Sequence, residues 1–176
     1  MSYKIHIRKI AFAGVVGAIY VALTVSFAPI SYGPVQFRIA EALTVLPFFF
    51  PITLPGLIIG CLIANLLLSP YGILDVVVGP SASLIAGLCT MYLGKINRES
   101  TVLKALACFP PVIFNAVVIG AVIAIAGGEV GFWIAFAMVG FGQLVVLYCI
   151  GFPLLIYLPK TPLYKILSDG TSARSD

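Results

Sequence analysis

A chain of 176 residues carries ten basic and six acidic side chains; 61% of it is hydrophobic and only 9% is charged. Soluble domains carry about 25% charged residues, and no aqueous core could absorb apolar sequence at a mean hydropathy of +1.16, so a soluble fold is excluded. The apolar runs are long and continuous, unlike the short alternating segments of a transmembrane β-barrel. The formal charge of +4 reads through membrane topology, not as a nucleic-acid footprint.

Residues 10–28 are uncharged and long enough for one crossing, which takes about 20 residues. With no small-residue cleavage signature they read as a retained helix and not as a signal peptide. Residues 29–37 read as a loop. A second apolar run starts near Ile39 and pauses at FPITLP, where Pro51 and Pro55 bracket a turn. Residues 55–69 form a third helix, and SPYGILD breaks the chain after it. A fourth span covers 76–94 and is followed by KINRES. A fifth runs over 103–126 and ends at GGE; a sixth runs over 131–156 and ends near LPKTP. The expectation is one all-α integral membrane domain over 1–160, a six-transmembrane-helix bundle whose second and third helices are short. Residues 161–176 read as a polar, mobile cytoplasmic tail.

The basic residues fall into three clusters. Lys4, Arg8 and Lys9 precede helix 1; Lys95, Arg98 and Lys104 surround the fourth connection; Lys160, Lys165 and Arg174 follow helix 6. With six spans all three clusters share one side, which the positive-inside rule makes cytoplasmic. The reading is therefore a multi-pass cell-membrane protein with both termini cytoplasmic. Arg38 stands apart from the clusters. Glu41, Asp75 and Glu129 fall toward the outer ends of helices 2, 4 and 6.

Ionisable groups within a membrane domain mark interior sites or water-filled cavities. Arg38 and Glu41, at i and i+3, lie on one helix face; they either lock to each other or frame a ligand. Asp75 and Glu129 either cap the helices they precede or face a ligand that presents N–H donors. Asn65, Asn115 and Gln143 fall near mid-bilayer or in the outer half, where an unpaired amide costs several kcal/mol. They either bond helix to helix or form the floor of a polar pocket. Tyr71 and Trp133 sit near the outer interface, as belt residues or as stacking platforms for a planar ligand. On helix 1, Ala11, Gly14 and Ala18 form one stripe of small residues, extended by Ala22; Ala13 and Gly17 form an adjacent one. Either stripe lets another helix approach closely, inside the bundle or as a docking face for a partner.

Cys61, Cys89, Cys108 and Cys149 each lie within an apolar run and read as small buried core residues. The sequence has no Gly-rich phosphate loop, no His-Glu-x-x-His pattern and a single histidine, His6. No catalytic, cofactor-binding or metal-binding set is expected in this chain. Two classes remain: a ligand-binding membrane subunit or transporter with an outward-side polar pocket, and a structural or assembly membrane protein.

The blocks FRIAEALTVLPFFFP, GLIIGCLIANLL and SPYGILDVVVGPSASLIAG, in this order, resemble the QueT family of substrate-binding S components of energy-coupling factor (ECF) transporters. The likeness covers the chain from helix 1 to about residue 160. It implies a six-helix subunit that takes up a queuosine precursor, a substituted 7-deazaguanine, from outside. It further implies a transmembrane coupling subunit and two cytoplasmic ATPase subunits as partners, with ATP and Mg used by those ATPases, and a docking role for the small residues of helix 1. Under this resemblance Glu41, Asp75 and Glu129 are candidates to accept from ring N–H donors or an aminomethyl group. Asn65, Asn115 and Gln143 would read polar ring atoms, and Arg38 would orient Glu41 or meet the ring carbonyl. An S component for another heterocycle or vitamin stays open.

Overall fold

The computed structural model describes residues 2–33, 35–126, 130–162, 164, 165 and 167, with side chains from Ile7 onward. Every element among the described residues is helical. In chain order these are α1 (Ser2–Ser26), α2 (Ala28–Ser31), a 3-10 helix (Ile39–Phe48), α3 (Thr53–Leu68), α4 (Ile73–Ile96), α5 (Thr101–Ala107), α6 (Phe109–Ala126) and α7 (Phe132–Val146). A π-helical turn (Leu147–Gly151), α8 (Phe152–Tyr157) and a last 3-10 turn (Leu158–Lys160) follow.

Among the described residues, four stretches are long and apolar enough to cross a membrane: Ile7–Ser26, Ile73–Ile96, Thr101–Ala126 and Phe132–Lys160. The expected second and third spans are not bilayer-length α-helices. The second is the 3-10 helix of 10 residues, about 20 Å long at a rise of 2.0 Å per residue. The third, α3, has 16 residues and is about 24 Å long. The 3-10 helix is buried on nearly every side, from Ala40 to Phe48 with only Leu43 half-exposed, and it packs against α1, α3, α4 and α7. A helix apolar all round belongs in the interior, so this segment is the centre post of the bundle and not a lipid-facing span.

Two predicted spans are interrupted where proline removes a backbone donor. The fifth breaks at Cys108 before Pro110 and Pro111. Pro111 leaves the Ala107 carbonyl without its helical partner, and the Thr90 hydroxyl of α4 donates to it at 3.1 Å. The sixth widens into the π turn just before Pro153, which spreads the backbone where the ring would strike the preceding carbonyl. The expected loop 29–37 begins inside α2, and Phe37 N–H then donates to Ile30 O at 3.0 Å. Cys61 and Cys108 are buried as expected; Cys89 is only partly so, and Cys149 faces outward.

Small residues set the spacing between helices. Ala13 and Gly17 of α1 meet Gly56 and Gly60 of α3. A Cβ on Gly17 would lie 2.6 Å from Gly56 O, one on Gly60 2.8 Å from Gly17 O, and one on Gly56 would overlap the Ala13 carbonyl. Along α4, Gly79, Gly87 and Gly94 face Asn65, Leu54 and the Phe48 carbonyl in turn, which admits α3 and the 3-10 helix. Gly72, with φ of 63°, supplies the left-handed step that turns SPYG into α4.

The chain alternates direction, so residues 27–38, 69–72 and 130–131 gather at one end of the bundle. The other end holds residues 49–52, 97–100 and 158–162. Contacts there tie the ends of several elements: Phe12 to Phe50 at 5.6 Å and Phe49 to Tyr164 at 5.4 Å between ring centroids, with Lys104 Nζ 5.7 Å from the Phe49 centroid. Lys95, Arg98, Lys104 and Lys160 belong to this second end.

Candidate functional site

Ser31, Gln36, Arg38, Glu41, Asn65 and Asp75 are buried polar residues toward the end built from residues 27–38 and 69–72, while Thr53, Thr90 and Lys104 lie toward the other. Arg38 caps the start of the 3-10 helix and Glu41 lies in its first turn. At three residues per turn, positions i and i+3 eclipse, and Arg38 Nη1 stands 3.9 Å from Glu41 Oε1. Both are almost wholly buried, at 4% and 1% exposure. A buried ion pair survives only with further hydrogen bonds on its free atoms, and Glu41 has them. Tyr20 of α1 donates to Oε1 at 2.5 Å, and Asn115 of α6 donates to Oε2 at 3.3 Å. The expected Arg38–Glu41 face is thus tied into α1 and α6.

A second part of the cluster centres on Asn65, one turn before the end of α3. Its Oδ1 accepts from Tyr32 Oη at 3.0 Å, and its Nδ2 donates to the Asp75 backbone carbonyl at 3.0 Å. Tyr32 joins the two parts, because the Arg38 guanidinium lies over its ring at 4.7 Å from the centroid. Cys61 sits between them: Arg38 Nη1, Asn65 Nδ2 and Ser83 Oγ come within 4.0, 3.8 and 3.7 Å of its sulfur. Asp75, fully buried in the first turn of α4, makes no cap to the helix amides. Its Oδ2 instead accepts from Ser69 Oγ at 2.6 Å.

Several buried atoms lack a hydrogen-bond partner: Arg38 Nε and Nη2, Asp75 Oδ1, Gln36 Nε2, Ser31 Oγ and Gln143 Oε1. A buried unmade hydrogen bond costs about 1–3 kcal/mol, and more for a charged group. These atoms are therefore the places where a ligand would add most.

Of the residues singled out from sequence, Arg38, Glu41, Asn65, Asp75 and Asn115 form one connected neighbourhood. Gln143 is buried on α7 beside the Gln36 stretch, where Gly142 closes on the Gln36 backbone. Tyr71 packs instead with Ile119, Ile123, Ala135 and Val139 between α6 and α7. Trp133 is 76% exposed on the outside of the bundle with Phe132 and Phe136, so it does not reach the cluster. Glu129 lies outside the described residues. Tyr20, Tyr32, Gln36 and Ser83 are not among the sequence candidates, and Cys61 reads from sequence only as a core residue. Their signal is weak, since tyrosine, cysteine and serine in apolar helices read equally as belt or packing residues.

The two stripes on α1 part company. Ala13 and Gly17 are buried against α3. Ala11, Gly14 and Ala18 face outward, and a Cβ on Gly14 would meet nothing within 4 Å. Members of both stripes, Ala13 and Gly17 as well as Gly14 and Ala18, line an apolar groove of about 450 Å³ with Ile59 and Ile63 of α3.

Residues 10–160 match the family described as QueT transporter. The chain is 40% identical over 73 residues to the queuosine precursor transporter QueT of Lactococcus lactis subsp. cremoris (strain MG1363). That alignment covers 40% of this chain and 42% of the relative, so it spans less than half of that protein's length. No solved structure matches.

Proposed function

The chain belongs to the QueT transporter family, and on that premise we propose that it is the substrate-binding S component of an ECF-type importer. It captures a queuosine precursor, a 7-deazaguanine derivative, for ATP-driven uptake. The observation that carries this reading is the buried polar neighbourhood of Arg38, Glu41, Asn65, Asp75 and Asn115, drawn from four elements of an otherwise apolar bundle. A purely structural membrane protein has little use for buried donors and acceptors that its own fold leaves without partners.

In this reading six apolar segments make up the membrane domain. The end rich in lysine and arginine is cytoplasmic together with both termini, and the polar cluster opens toward the outside. The coupling subunit docks on the outward stripe of α1, Ala11, Gly14 and Ala18, because Ala13 and Gly17 are already used against α3. Two cytoplasmic ATPase subunits hydrolyse ATP with Mg, so this chain alone binds but does not pump.

The test is mass spectrometry of small molecules that co-purify with the protein, followed by titration of the emptied protein with the compound found. A deazaguanine bound with saturable affinity supports the reading. A different heterocycle or vitamin, or no ligand, rejects the substrate assignment.

A further inference from the structure

Arg38 is divided between two tasks. Its Nη1 faces Glu41 and Cys61, while Nε and Nη2 have no partner. Those two nitrogens form the side edge of the guanidinium, two parallel N–H groups in a rigid plane suited to an acceptor such as a carbonyl oxygen. The plane is held from three directions: Glu41 on one nitrogen, the Tyr32 ring beneath, and the Cys61 sulfur beside it.

Asp75 is divided in the complementary sense. Its Oδ2 is taken by Ser69, and its Oδ1, buried, accepts from nothing. One turn on, Gly79 admits Asp75 and Asn65 close to the α4 backbone. A Cβ there would come 3.1 Å from Asp75 Oδ1 and 2.5 Å from Asn65 Nδ2. Arg38 and Asp75 are linked through shared neighbours, since Asn65 touches the Asp75 carbonyl, Cys61 and Tyr32. By contrast each Glu41 oxygen already has a donor.

We infer that the ligand is read by this split frame. The Nε/Nη2 edge of Arg38 donates to a ring carbonyl, and Asp75 Oδ1 accepts from the adjoining ring N–H and exocyclic amine. Glu41 and Asn65 are positioning residues that fix the two readers. The frame selects a 2-amino lactam edge. It rejects a 6-amino ring, which would set an N–H donor against Arg38 and a bare ring nitrogen against Asp75. This inference rests on the deazaguanine reading above and goes further by naming which atoms discriminate.

The experiment titrates the purified full-length protein with 7-deazaguanine, 7-deazahypoxanthine and 7-deazaadenine. Wild type is expected to bind 7-deazaguanine roughly 100-fold or more tighter than 7-deazaadenine, because a site built for one hydrogen-bond pattern leaves buried groups unpaired with the other. Arg38→Lys keeps the charge and loses the fork. It should lose about 10- to 100-fold in 7-deazaguanine affinity and most of the preference over 7-deazaadenine. Asp75→Asn should lose a similar factor and erase the preference of 7-deazaguanine over 7-deazahypoxanthine, which lacks the exocyclic amine. If wild type binds 7-deazaadenine as well as 7-deazaguanine, the frame is wrong; this arm needs no variant to fold. The frame is equally wrong if both variants, shown folded by their melts, keep wild-type preferences. If wild type binds none of the three, the deazaguanine reading falls and the frame with it.

Discussion

The α1–α3 contact makes a sharp prediction about two glycines of one groove. Gly56 has no room for a side chain, because a Cβ there would run into the Ala13 carbonyl, and the neighbouring approaches at Gly17 and Gly60 are themselves 2.6 and 2.8 Å. Relief requires two backbones to separate, and a close-packed interior resists that. Overpacking of this kind costs about 1–3 kcal/mol, and alanine's better helix propensity offsets at most about 1 kcal/mol. Gly14, next to Ala13 on α1 and three residues before Gly17, faces open space, so Gly14→Ala carries only the propensity gain of about 0.5–1 kcal/mol. The two substitutions should therefore differ by roughly 2 kcal/mol, with opposite signs. For a chain of this size that is roughly 4–8 °C between the two melting temperatures. Thermal unfolding of both variants in the same detergent, followed by circular dichroism, measures it. A Gly56→Ala protein that melts at or above wild type would refute the packing argument.

Three further outcomes follow from named contacts. Glu41→Gln leaves Arg38 buried without an anion and should cost about 3 kcal/mol, and it should weaken ligand binding because Arg38 loses its brace. The double variant Glu41→Gln with Arg38→Met should be less destabilised than the sum of the singles, and additivity in a melt-based double-mutant cycle would argue against the pair. Thr90→Val removes the donor to the carbonyl freed by Pro111 and should cost about 1 kcal/mol, read as a lowered melting temperature. Gly14→Leu fills the outward groove; co-purification with the coupling subunit should fail while ligand binding persists, and normal co-purification would reject this face as the docking surface.

Much of the arrangement was legible in the sequence because membranes impose a simple rule. Apolar runs and prolines fixed the order of the segments, and the i,i+3 spacing of Arg38 and Glu41 predicted their shared face in either helical form. What was not legible depended on tertiary contacts. Nothing in IAEALTVLPF distinguishes a short α-helix from a 3-10 helix, and the segment forms the latter while buried at the centre of the bundle. Trp133 and Tyr71 carried the same interfacial signal, and only packing separates a ring on the outer surface from one wedged between α6 and α7. The two stripes of α1 were equivalent as sequence, and the glycines of α3 take Ala13 and Gly17 into close contact.

That division gives α1 two working faces on one rigid element. Its inner face holds Ala13 and Gly17 against α3 and carries the Tyr20 hydroxyl to Glu41; its outer face, offset by one residue, leaves Gly14 and Ala18 exposed. Close glycine contacts leave little freedom for α1 to slide on α3 without clashing. A displacement of α1 caused at the outer face would therefore alter the Tyr20–Glu41 bond, and with it the anion that holds Arg38. On the proposed reading, the Tyr20 hydroxyl is one link between docking and ligand binding. Tyr20→Phe, which keeps the ring and deletes that hydroxyl, should lower ligand affinity without disturbing the groove. If Tyr20→Phe binds ligand as wild type does, α1 does not connect the two faces by this route.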